Sequence, residues 1–248
     1  MVSNFLRFLL ILPVMLLCSC IEGEEEIWVK GDGSGKLVAH YRLPSLALRE
    51  LGDPSDYVRA IKIIDEQEDG IEVQVITFEV KSGKAILHLE ATFENALDLL
   101  ELVERSESVF VEEAQADPTQ LDAISGKIDV GIDGLSPTFN RAVSLGPILP
   151  SMVQKSPAML GKSNFRYTIH LPADVKETNA HEVSEDQRTV TWNFLLKDYL
   201  NQPMVMSVKT SLPIPWWVLA TLATLVFTIA SLILKRRQRR AHKVELVD

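Results

Sequence analysis

One stretch constrains this chain more than any other. From Trp216 to Leu234 it runs nineteen residues without a charge, WWVLATLATLVFTIASLIL. At about 1.5 Å of rise per residue, a helix of that length matches the roughly 30 Å hydrocarbon layer of a bilayer. Trp216 and Trp217 lie at one edge, where indole rings favour the interface. Lys235, Arg236, Arg237, Arg239 and Arg240 crowd the other. Cations clustered beside a span stay on the cytoplasmic side. The pattern therefore predicts a transmembrane helix over 215–234, a basic cytoplasmic tail over 235–248, and everything upstream outside the cell membrane.

The opposite end agrees with that topology. An apolar run from Phe5 to Leu17, with Arg7 inside it, is too short for a span and fits the core of an export signal. It closes on Leu17-Cys18-Ser19-Cys20, which resembles a bacterial lipobox. In such precursors the last cysteine is acylated and the chain is cut just before it. The resemblance implies lipidation at Cys20 and removal of residues 1–19. The exported stretch of 20–212 then holds no other cysteine, so no disulfide staples it. Seven of the 25 basic residues but only two of the 34 acids lie in the terminal segments, so the middle carries −14. That charge opposes nucleic-acid binding, which needs a cationic face.

Within the exported stretch, Glu26–Lys30 and Lys36–Leu43 alternate around Gly31-Asp32-Gly33-Ser34-Gly35, a hairpin signal. Ser45–Leu51 and Pro54–Glu66 read as helices, the second from the spacing of Tyr57, Val58, Ile61 and Ile64. Ile71–Val80 and Ala85–Phe93 alternate strictly about Lys81–Lys84, a second hairpin. Asn95–Arg105 carries a leucine-rich helical stripe. Further strands are expected at 126–133, 163–171, 188–196 and 204–210. About eight strands and three or four helices in mixed order favour an α+β fold, with a largely antiparallel sheet built from hairpins.

The order of several short motifs resembles a known pattern. It comprises Glu25–Gly35 soon after the lipobox, then Arg166-Tyr-Thr-Ile-His-Leu-Pro172, Val175–Asn179 and Arg188-Thr-Val-Thr-Trp-Asn-Phe194. This resembles the bacterial lipoprotein domain family named after mycobacterial LppM. The resemblance implies an α+β domain at the outer face of a membrane that binds a lipid or glycolipid, with no enzyme activity.

Sharper chemistry finds little footing. The Gly31–Gly35 loop lacks the helix of a dinucleotide fingerprint, the distal ligands of a calcium loop and the context of a nucleophile elbow. The five histidines are scattered and no thiol accompanies them, so neither a metal nor a cofactor is expected. Asp129 and Asp133 read as solvated surface. Trp192, alternating with Val190 and Phe194, reads as core.

One region stands apart. From 134 to 173 no acid occurs, in a domain otherwise rich in them. The segment offers Arg141, Leu145, Ile148, Leu149, Met152, Lys155, Met159 and Leu160 as candidate contacts to lipid, the membrane or a partner. Core packing with proline-rich connections is the competing account. The expected partners are membrane lipid and an envelope protein. The expected function is that of a non-enzymatic, lipid-binding envelope lipoprotein on the cytoplasmic membrane. The alternative is a structural or interaction subunit of an envelope complex without a small ligand.

Overall fold

The computed structural model describes residues 21–44, 54–67, 70–96, 126–133, 136–146, 149, 151–211, 221 and 224. Eleven strands occur among them, arranged in two sheets. The first hairpin pairs β1 (Glu22–Val29) with β2 (Gly35–Pro44), and the second pairs β3 (Ile71–Lys81) with β4 (Lys84–Phe93). Helix α1 (Pro54–Gln67) lies between them in sequence and packs on β3. Next come β5 (Lys127–Asp133) and β6 (Ser136–Val143). A one-turn helix α2 (Ser151–Lys155) and a 3₁₀ turn at Pro157–Leu160 lead to β7 (Asn164–His170). The remaining strands are β8 (Val175–Thr178), β9 (Glu182–Val183), β10 (Thr189–Leu195) and β11 (Met204–Thr210). A second 3₁₀ turn, Leu196–Asp198, follows β10.

The large sheet has the order β3-β4-β2-β1-β7-β10-β9, and the small one β5-β6-β11-β8. Both are antiparallel but for one pair. Strands β1 and β7 run parallel, with Glu22 opposite Asn164 and Trp28 opposite His170. This long-range pairing sets β1 at the middle of the large sheet. Alternation then sends Ile21, Gly23, Glu25 and Ile27 to one face and Glu22, Glu24, Glu26 and Trp28 to the other. The main core lies against the first face. Phe165, Tyr167, Ile169, Val190, Trp192 and Phe194 of the large sheet meet Val143, Met204, Met206 and Val208 of the small one. A second cluster gathers Ile71, Ala91 and Phe93.

The expected α+β class is therefore overturned. The described chain is mainly β, with only two helices beside the strands. Strand β6 was not anticipated, because Arg141 breaks its inward row of Phe139 and Val143. Strand β8 went unread as well, being only four residues long. The helix expected at 45–51 lies outside the described residues, as do Cys20, the signal over 1–19 and all of the helix expected at 95–105 except Asn95 and Ala96, which are not helical. No helix among the described residues is long and apolar enough to cross a membrane. The run expected to span, 215–234, lies outside them apart from Thr221 and Thr224. Those two belong to a second compact unit, Leu212–Asp248, where the Thr224 hydroxyl donates to the Thr221 carbonyl at 2.8 Å.

Candidate functional site

Two charged side chains face the interior between the sheets. Glu25 projects from the middle of β1 and is 7% exposed. Arg141 projects from β6, on the opposing sheet. Its Nη1 donates to Glu25 Oε2 at 2.5 Å and its Nη2 reaches Oε1 at 3.4 Å. The Tyr41 hydroxyl, from β2, donates to Glu25 Oε1. Tyr167, directly across from Glu25 on β7, lies under the guanidinium, 5.3 Å from Cζ to the ring centroid. Four strands from two sheets thus converge on one carboxylate.

The electrostatics follow from burial. Removal from water works against the Arg141 charge, but the Glu25 carboxylate more than offsets this and holds its pKa above the usual arginine value. Burial, and then the Glu25 charge, push the Tyr41 and Tyr167 phenols above their ordinary range. Both tyrosines therefore stay neutral, and Tyr41 stays a donor. Each of the cluster's charges is matched. The cluster joins the two sheets.

A second polar junction sits where β1 begins. The Ile21 amide donates to Ser163 Oγ at 2.9 Å, and that hydroxyl donates to the Leu160 carbonyl at 2.5 Å. The Asn164 amide returns to the Ile21 carbonyl at 3.0 Å, and the Leu196 amide to the Ser163 carbonyl at 3.0 Å. Ile21 itself is buried. The sequence pattern starts the first strand at Glu26, whereas the observed strand starts at Glu22. The fold engages the chain at the residue after Cys20.

The candidate contact residues of the acid-free segment scatter. Leu145, Leu149 and Leu160 belong to the main core. Arg141 is held by Glu25. Lys155 is exposed at the end of α2. Met152 lies on α2 and Met159 in the following 3₁₀ turn, whereas Ile148 and Cys20 lie outside the described residues. The residues that do converge, Glu25, Tyr41 and Tyr167, were not singled out. Their one signal was a glutamate at an inward position of an otherwise alternating strand.

The remaining motifs resolve into structure. Gly33 takes a φ of 90° in the first hairpin turn, and Asp32 accepts from the Ser34 amide and hydroxyl. Asp133 accepts from Lys209 Nζ at 2.6 Å, which lowers its pKa, and Asp129 is exposed. Trp192 is fully buried, and its Nε1 donates to Asn179 Oδ1 at 2.8 Å. That oxygen also accepts from the Ser207 amide at 2.8 Å. On the outer face of the large sheet, His40 and His88 stack at 4.1 Å, and His170 meets Glu26 at 2.7 Å. No group of three metal-binding side chains occurs among the described residues. Open polar clefts occur among the described residues. One of about 540 Å³ is lined by Glu22, Glu24, Arg42 and Arg166, and one of about 440 Å³ by Asp133, Asn140 and Lys209.

No protein family matches the chain, and no curated protein does. Among solved structures, the chain is similar to the folded domain of the Mycobacterium tuberculosis LppM protein, determined by NMR. The two share 14% identity, the match covers 79% of this chain and 91% of that one, and the TM-score is 0.42.

Proposed function

We propose that this protein is a non-enzymatic envelope lipoprotein, whose β domain is held by a lipid on Cys20 against the outer face of the cytoplasmic membrane and contacts membrane lipid there. One observation carries the reading. Ile21 is buried and hydrogen-bonded immediately after the lipobox cysteine. Adjacent Cα atoms are about 3.8 Å apart, so acyl chains on Cys20 leave the domain surface with no linker. A domain so attached lies on the bilayer and does not reach away from it. The matched charges of the Glu25–Arg141 cluster are in keeping with a structural role for the only buried ion pair among the described residues.

The test is an intact mass of the full chain purified from membranes. It should show the chain starting at Cys20 with acyl chains added, and Cys20→Ser should abolish both changes. Fatty-acid labelling that persists in the Cys20→Ser protein would overturn the reading. Lipid contact is tested by extracting the purified protein; failure to recover any co-purifying lipid removes that part.

A second reading has its own observation. Strand β3 is eleven residues long and lies at an edge of the large sheet among the described residues, with Val80 exposed. Such an edge suits strand addition by a partner, as an interaction subunit of an envelope complex would use. Cross-linking from Glu79→Cys to a second protein in intact membranes would favour it.

A further inference from the structure

We infer that the surface around Ser163 is a docking rim for anionic lipid headgroups, centred on Lys162 and Lys197. This rests on the lipoprotein reading above and adds to it which surface meets the bilayer and by what chemistry. Ser163 joins three pieces of chain by hydrogen bonds: Ile21, the turn ending at Leu160, and Leu196. Lys162 immediately precedes Ser163, and Lys197 immediately follows Leu196. Both are therefore fixed beside the point at which Cys20 enters the fold. Both are exposed, and neither forms an ion pair among the described residues. The neighbouring Pro157, Ala158 and Gly161 are exposed as well, and Lys155 lies just upstream.

Charge makes this rim unlike the rest of the domain. The stretch from 20 to 212 carries −14, yet no acid occurs from 134 to 173. Of the acids bordering Ser163's partners, Glu22 is engaged by Arg42 at 2.5 Å, which leaves Asp198. Lys162 and Lys197 thus stand exposed against a single exposed acid, Asp198, a local excess of positive charge at the place where a lipid on Cys20 would bring the domain to the surface. One lipid attachment combined with nearby cations is the pairing that holds a protein on anionic membranes. Orientation follows: an acidic domain is repelled on its other faces and attracted here.

The test uses the mature full chain in two sets of vesicles, one of phosphatidylcholine alone and one with a third phosphatidylglycerol. Lysines are labelled with a water-soluble active ester and read by peptide mass. Lys30 serves as the reference, since it lies exposed at the far end of β1, about 30 Å away along the strand. In anionic vesicles Lys162 and Lys197 should label about fivefold more slowly than in neutral ones. Lys30 should not change, and 1 M salt should remove the difference. Equal labelling of Lys162 and Lys197 in the two vesicle types, with Cys20 acylated, overturns the rim and leaves the lipid reading standing. Protection that persists in neutral vesicles and in salt overturns it too, since charge is then not the cause. Protection without acylation of Cys20 supports the rim and removes the lipid tether. Absence of both overturns the two together.

Discussion

Replacing Arg141 by methionine keeps much of its volume and removes its charge. The Glu25 carboxylate, 7% exposed, then keeps only the Tyr41 hydroxyl as a partner. Breaking one side of a buried pair costs about 3–5 kcal/mol, because the remaining charge has lost its compensation. The stacking of the guanidinium on Tyr167 adds about 0.5–1 kcal/mol. Against a typical domain stability of about 5–15 kcal/mol, a loss near 4 leaves a folded but weakened protein. With a urea slope of about 2 kcal/mol per molar, the midpoint should fall by about 2 M. Urea titration of the detergent-solubilised full chain, followed by near-ultraviolet circular dichroism, reads this directly. The combined change Glu25→Leu, Tyr41→Phe and Arg141→Met removes the polar groups together. It should return to within about 1 kcal/mol of the parent or exceed it, since desolvation no longer has to be offset. A single Arg141→Met within 1 kcal/mol of the parent would refute the argument, as would a triple variant no more stable than the single one.

Other consequences are open to measurement. Tyr41 and Tyr167 have pKa values raised on folding, so the stability they confer is complete below about pH 10 and is lost as pH rises through their folded values. Urea midpoints should decline above pH 10, and Tyr41→Phe should flatten part of that decline. Asn179→Ala strands the Trp192 and Ser207 donors, at about 1–3 kcal/mol each, and should lower the thermal midpoint by roughly 5–15 °C. Gly146→Ala would set a Cβ 2.0 Å from the Leu200 carbonyl oxygen, which is backbone and cannot swing away. A loss of about 1–3 kcal/mol is expected in the same urea assay. Ser163→Ala leaves the buried Ile21 amide without its partner, so faster hydrogen exchange at that amide should accompany a loss of about 1–3 kcal/mol.

Much of the strand content was legible in the sequence because alternation is local. The segments Ile71–Val80 and Ala85–Phe93 spell out their faces residue by residue, and the structure pairs them about Ser82 and Gly83, both at positive φ. The first hairpin, the strands near 127, 164, 189 and 204, and the inward Trp192 were readable for the same reason. The β-rich balance was not. A charge at an inward position erases the period on which such reading depends, and that happened at Glu25 in β1 and at Arg141 in β6. Those residues lie 116 positions apart, and each makes sense only as the other's partner. The parallel β1–β7 pair was equally out of reach, since no turn links its strands and nothing local sets its register. By itself the sequence determined the charge of each segment and the hairpins, all of which depend on near neighbours. Tertiary structure alone decided that the chain is gripped at Ile21, that the acid-free segment supplies both core leucines and the exposed Lys155 and Lys162, and that two charges share one site, because burial is a property of distant residues brought into contact.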